Sequence, residues 1–201
     1  MIRVLLADDQ ALIRGALASM LKLEPDLEVV GEVGSGSEVE AAALRTRPDV
    51  VLMDVQMPGK DGLAVTADLA RSLPSCKIVI CTTFGRPGYL TRAVAAGAVG
   101  FLVKDAPPEQ LVEAVRRAAA GLRVLDYALA SEAMLSGTSP LTAREREVLA
   151  EALGGGTVTD IARTLGLSDG TVRNHVSSAM AKTSARTRAE AARIAESNGW
   201  L

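Results

Sequence analysis

Five short apolar runs, separated by stretches of helical spacing, occupy residues 1 to about 120 and constrain the fold more than any other feature of the chain. They are Arg3 to Ala7, Glu28 to Val33, Val50 to Met53, Lys77 to Cys81 and Gly100 to Val103. Short apolar runs bounded by turn residues suit strands buried on both faces. Between the first two, Leu12, Ile13, Ala16, Leu17, Met20 and Leu21 form an amphipathic stripe that Pro25-Asp26 closes. Further helices are expected after Gly34-Ser35-Gly36-Ser37 and after Asp61-Gly62. Pro87 and Pro107-Pro108 open the last two, at a turn where proline forfeits no hydrogen bond. Five strand-helix units imply a doubly wound, five-stranded parallel sheet with helices on both faces.

After Gly121 the pattern breaks. Residues 121–138 mix apolar pairs with Ser and Gly and are expected to form a linker with one short helical segment. From Leu141 only helical spacing remains, over Thr142 to Leu153, Val158 to Leu165, Ser168 to Lys182 and Arg188 to Ser197. The expected organisation is a domain over 1–120, a linker over 121–138 and a small all-α domain over 139–201.

Composition excludes several classes. Cys76 and Cys81 flank one strand without the spacing of a zinc site, so both are expected to be reduced core thiols. Met1 to Leu6 runs straight into an acid pair, so no cleavable leader is expected. The longest uncharged apolar run, Ala93 to Val103, falls short of the ~18 residues that span a bilayer. A cytoplasmic chain without membrane insertion is the expectation. Gly34-Ser35-Gly36 lacks the full glycine pattern of a nucleotide loop and is expected to be a turn and helix cap. Arg163 to Arg193 carries six basic residues against Asp169 and Glu190, a charge compatible with phosphate contacts or with a solvated helical face.

In a parallel sheet all strands end on one edge, where ligands bind. That edge receives Asp8 and Asp9, Asp54, Thr82 and Lys104 from four different strands. Two carboxylates ~4 Å apart at an effective dielectric near 20 repel by about 4 kcal/mol, so the cluster calls for a cation or for raised pKa values. A hard divalent ion with oxygen ligands, Mg2+ foremost, meets that need and leaves Asp54 ionised as a nucleophile. Lys104 and the Thr82 hydroxyl would then face an incoming phosphoryl group.

These residues resemble a two-component receiver domain, a flavodoxin-like fold. Asp8-Asp9, Asp54 in LMDVQMPG, Thr82 in CTTF and Lys104 in GFLVKD match that family's motif in order and spacing. The resemblance implies that Asp54 takes a phosphoryl group from a histidine kinase. It also implies that Mg2+ is held by Asp9, Asp54 and the Gln56 backbone carbonyl, with Asp8 mostly through water. Phe101 matches the family's switch aromatic, which follows the Thr82 hydroxyl, and Asp105 departs from the proline many receivers carry. Haloacid-dehalogenase-like phosphatases share an Asp, Thr, Lys and Mg2+ set but need a second Asp two residues on, where this chain has Gln56.

Val158 to Leu165 and Ser168 to Lys182, joined by Gly166-Leu167, have the spacing of a helix-turn-helix. At about 100° per residue, Val172, Val176, Ala179 and Met180 share one face while Arg173, Asn174 and Ser177 lie on its flank and back. Arg and Asn make bidentate contacts to guanine and adenine in the major groove, so Arg173 and Asn174 are candidate base readers, with an exposed polar face as the plain alternative. LTAREREVLAEAL, TDIARTLGLSDGTVRNHVSSAMAK and SARTRAEA resemble the LuxR-type DNA-binding domain. The whole chain is thereby similar to NarL/FixJ response regulators. The resemblance places Arg173, Asn174 and Ser177 toward bases, with Thr171 and Lys182 near the backbone. Gly154-Gly155-Gly156, Asp160 and Thr183-Ser184, where Leu-Gly is usual, depart from the pattern. The implied protein is no enzyme but a transcription regulator. Its expected partners are a histidine kinase, double-stranded DNA, RNA polymerase and a second copy of itself once phosphorylated. A regulator that works without phosphorylation and a protein-binding adaptor are the alternatives.

Overall fold

Strands whose two faces are both apolar need cover on both sides, and the first part of the chain supplies it. The computed structural model describes residues 1–83, 87–125 and 139–201, and the chain divides into two compact units. The first contains β1 (Ile2–Ala7), β2 (Leu27–Val33), β3 (Val50–Met53), β4 (Lys77–Thr82), β5 (Gly100–Val103) and β6 (Val124–Leu125). They form one parallel sheet in the order β2-β1-β3-β4-β5-β6. Its helices are α1 (Ala11–Leu21), α2 (Gly36–Thr46), α3 (Gly62–Ser72), α4 (Pro87–Ala96, of which Leu90–Ala96 falls in this unit) and α5 (Pro108–Ala119).

The sheet therefore has six strands rather than the five expected. After α5 the chain turns back beside β5, and the Val124 amide donates to the Val99 carbonyl at 2.9 Å. Two residues are too few to carry a periodic signal. The rest of the expected linker, with its helical segment, lies outside the described residues.

Alternation along each strand divides the core. Val4, Leu6, Val50, Leu52, Val79, Cys81 and Leu102 pack against Ala18 and Leu21 of α1 and Leu111, Val112, Val115 and Ala118 of α5. Leu5, Val51, Met53, Ile78, Ile80 and Phe101, at the intervening positions, are equally buried. Each such side chain contributes roughly 1.5–3 kcal/mol. Burial also holds both cysteine thiols up at about 12, so they are packing groups and not reactive thiolates.

The second unit contains α6 (Ala143–Leu153), α7 (Val158–Leu165), α8 (Asp169–Thr183) and α9 (Arg188–Ser197). Thr142 with Glu145, and Thr157 with Asp160, form capping boxes at the starts of α6 and α7. Asp160 thus does the capping work of a longer acid. Gly166, at φ +64°, ends α7 in the left-handed region, and the Ser168 hydroxyl accepts the Thr171 amide to start α8. Val148, Ile161, Val172 and Val176 form one apolar cluster, and Leu149, Ala179, Ala191 and Ala195 form another that Trp200 covers.

One buried carboxylate ties α6 to α8. Glu145, 3% exposed, accepts the Ser178 hydroxyl at 2.7 Å and the Lys182 ammonium at 2.9 and 2.7 Å, besides the Thr142 amide. Burial pushes this carboxyl up, but the hydrogen bonds from Lys182, Ser178 and Thr142 outweigh it and hold the pKa at about 2 against an ordinary 4.5.

Two stability outcomes follow from these contacts. The folded pKa of Glu145 lies below the unfolded one, so its stabilisation is complete above 4.5 and lost as pH falls toward 2. Urea unfolding read by Trp200 fluorescence should show a loss of up to about 3 kcal/mol over that window, flattened in Glu145→Gln. Ser184 ends α8 at φ +55°, a conformation that disfavours a side chain. Ser184→Gly should raise stability in the same assay by about 0.5–1 kcal/mol.

Candidate acidic site and candidate nucleic-acid interface

The strand order reverses direction between β1 and β3, and a crevice opens there at the carboxyl ends of the strands. The Asp54 amide donates to the Ala7 carbonyl at 2.8 Å, and the Asp8 amide to the Val33 carbonyl at 3.1 Å, so the sheet ladder itself fixes both acids at the edge. On the other side the Lys104 amide donates to the Thr82 carbonyl at 2.8 Å.

These backbone bonds bring the side chains together. The Lys104 ammonium, 5% exposed, lies 2.7 Å from Asp8 Oδ2 and 2.7 Å from Asp54 Oδ2. The remaining oxygens are also engaged: Asp54 Oδ1 accepts the Val55 amide at 2.7 Å and Asp8 Oδ1 accepts the Gln10 amide at 2.9 Å. Asp9 is exposed, yet carboxylate oxygens of Asp8, Asp9 and Asp54 lie within 4.8 Å of one another. Thr82 is buried at the end of β4, and Phe101 is buried on β5, where its Cα pairs with that of Ile80. Gln56 sits on the loop after Asp54 and, with Asp9 and Met57 to Asp61, lines an open depression of about 510 Å³.

The electrostatics are unbalanced. Burial raises the Asp54 carboxyl pKa, Lys104 opposes that shift, and the charge on Asp8 adds to it. For Lys104 burial favours the neutral amine, but the hydrogen bonds to Asp54 and Asp8 overcome this and raise its pKa. Three carboxylates against one ammonium leave a charge of −2 at a crowded, all-oxygen site. Among the described residues, Arg14 donates to the Asp8 backbone carbonyl at 2.5 Å and pairs with Glu32 at 3.8 Å, and Lys60 pairs with Asp68. Charge, donor type and spacing together fit a hard divalent cation.

In the second unit α8 presents Arg173, Asn174 and Ser177 to solvent while Val172, Val176 and Ala179 are buried. Arg173 lies 3.7 Å from Asp169, which accepts the Thr159 hydroxyl at 2.9 Å, a tether between α7 and α8. The Thr171 hydroxyl bonds that of Ser168 at 2.8 Å within the helix cap. Lys182, expected near a nucleic-acid backbone, directs its ammonium to Glu145 within the domain. Sequence reasoning passed over Glu145 and Ser178. The one local signal was the Thr142-x-x-Glu145 capping spacing, and nothing local revealed that the same carboxylate reaches α8.

Known proteins agree with both halves. Residues 4–116 match the response regulator receiver domain, and residues 139–195 match bacterial regulatory proteins of the luxR family. The uncharacterized transcriptional regulatory protein YvfU of Bacillus subtilis (strain 168) is 45% identical over 201 residues, covering all of both chains. The transcriptional regulatory protein DesR of the same organism is 42% identical, again over the full length of both. Among solved structures, the response regulator ChrA of a heme-sensing two-component system shares 33% identity and a TM-score of 0.60 over 100% of this chain and 98% of its own. A response regulator RcsB-DNA complex, at 24% identity and a TM-score of 0.69 over 98% of each chain, shows likeness of fold. The two family matches, one on each unit, and the relatives that align over the full chain place it in the two-component response regulators, as a transcription regulator that joins a receiver to a LuxR-type domain.

Proposed function

We propose that Asp54 accepts a phosphoryl group from a histidine kinase and that this modification controls binding of the chain to double-stranded DNA. The observation that carries the reading is the Lys104 ammonium held between Asp8 and Asp54. In the transfer an Asp54 carboxylate oxygen attacks phosphorus, the bond from phosphorus to the donor imidazole nitrogen breaks, and its electron pair leaves with the imidazole. Lys104 neutralises charge on the phosphoryl oxygens, and the Thr82 hydroxyl donates to one of them. Phe101 follows the Thr82 side chain and carries the change to the surface. Asp9, Asp54 and the Gln56 carbonyl, with Asp8 through water, are the groups that would hold Mg2+. When bound, that ion neutralises the acids and the transferring oxygens.

Phosphorylation favours a homodimer through α1 and α5. Support comes from Leu12 and Leu23, 87% and 82% exposed, and from a groove whose apolar lining, Met20, Leu23, Pro108 and Val112, is rimmed by Glu24, Glu109, Glu113 and Arg116. Such a dimer sets two α8 helices one duplex turn apart, about 34 Å. Arg173, Asn174 and Ser177 then face bases, with Thr171 near the backbone. Lys182 contributes field and helix placement through Glu145. No helix among the described residues is long and apolar enough to cross a membrane, in keeping with a cytoplasmic regulator that meets RNA polymerase on DNA.

Acetyl phosphate with Mg2+ should place one phosphoryl group on each wild-type chain and none on Asp54→Asn. Labelled wild type should run as a dimer and bind its selected DNA more tightly, with affinity falling steeply as salt rises. Arg173→Ala should lower discrimination at one base position by about 1–3 kcal/mol. Equal labelling of Asp54→Asn, or DNA affinity indifferent to salt, would contradict the reading.

A further inference from the structure

The loop after Asp54 does not stand alone; a single carbonyl fastens it to the turn before α2. The Pro58 carbonyl accepts the Ser35 hydroxyl at 2.9 Å, the Gly36 amide at 3.0 Å and the Lys60 amide at 3.1 Å. Close packing enforces the join. A Cβ at Gly36 would overlap the Lys60 carbonyl, and one at Gly59, which sits at φ +81°, would overlap the Ser37 hydroxyl. Farther along, the Gly62 amide donates to the Val55 carbonyl at 2.8 Å, and Asp61 caps α3 through the Leu63 amide. The segment that carries Gln56 is thus pinned at both ends, by β3 and α3 within its own connection and by Ser35 from across the crevice.

We infer that Ser35 is a positioning residue for the acidic site: its hydroxyl, through Pro58, holds the loop in the shape that presents the Gln56 carbonyl beside Asp9 and Asp54. Ser35 touches neither the cation nor the phosphoryl group. It acts by restricting a loop that otherwise samples other conformations, and a binding-competent shape populated less often weakens apparent affinity in proportion. The inference rests on the proposed function in assigning the loop a cation to hold.

The test is calorimetric titration of the unphosphorylated full chain with MgCl2, beside acetyl-phosphate labelling at saturating Mg2+. Ser35→Ala removes the donor and should raise the Mg2+ dissociation constant about fivefold, the worth of one hydrogen bond. Ser35→Thr, which keeps the hydroxyl, should restore it. Gly36→Ala, which pushes on the Lys60 carbonyl, should weaken Mg2+ at least as much. Val115→Ala, in the core between sheet and α5, should lower the melting temperature and leave Mg2+ affinity alone. The inference is overturned if Ser35→Ala binds Mg2+ as wild type does, or if Val115→Ala loses as much. Wild type that takes up neither Mg2+ nor phosphoryl would overturn the assignment of the site itself, and the role of Ser35 with it.

Discussion

A buried amine shared between two buried carboxylates is the interaction on which the receiver depends. Taking charged groups out of water costs several kcal/mol each, so Lys104 is tolerable only because Asp8 and Asp54 each lie 2.7 Å away. They in turn sit there because β1, β3 and β5 run parallel and end on one edge. The arrangement satisfies the amine but not the acids, which keep a surplus of negative charge. Stability and chemistry are linked at this point: the fold tolerates the surplus, and the proposed cation and phosphoryl chemistry would draw on it.

The second unit solves a related problem with the opposite outcome. Glu145 is as deeply buried as Asp54, yet Lys182, Ser178 and Thr142 satisfy it, and its pKa falls where that of Asp54 rises. A satisfied buried ion fixes one helix against another. Here it fixes α8, so the exposed face with Arg173, Asn174 and Ser177 is held at a set angle to α6. One buried acid is left poised and the other is closed off: burial, with the charge on Asp8, prevails at Asp54, and hydrogen bonds from Lys182, Ser178 and Thr142 prevail at Glu145.

Much of this was legible in the sequence because parallel strands advertise themselves. Val50 to Met53 is apolar at every position, and the acid that follows marks the strand's end. The helix-turn-helix was legible through Gly166, Ser168 and the apolar period of α8. What was hidden was long-range. The LuxR-type resemblance places Lys182 near the nucleic-acid backbone, and nothing within the helix shows that its ammonium also donates to Glu145, 37 residues earlier. Ser35 reads as a helix cap, and its hydroxyl does accept the Ser37 amide, at 3.4 Å, but its donation to Pro58 spans 23 residues. The sixth strand escaped because it is two residues long and owes its existence to the neighbouring edge of β5.

If groups from four strand ends act together on one phosphoryl group, a crystal structure of the full chain with Mg2+ and beryllofluoride should capture them doing so. Beryllium should be bonded to an Asp54 oxygen, with the Lys104 ammonium and Thr82 hydroxyl on its fluorines and the cation against Asp9. Beryllium bound elsewhere, or bound to Asp54 with Lys104 still joined only to Asp8, would refute that joint action.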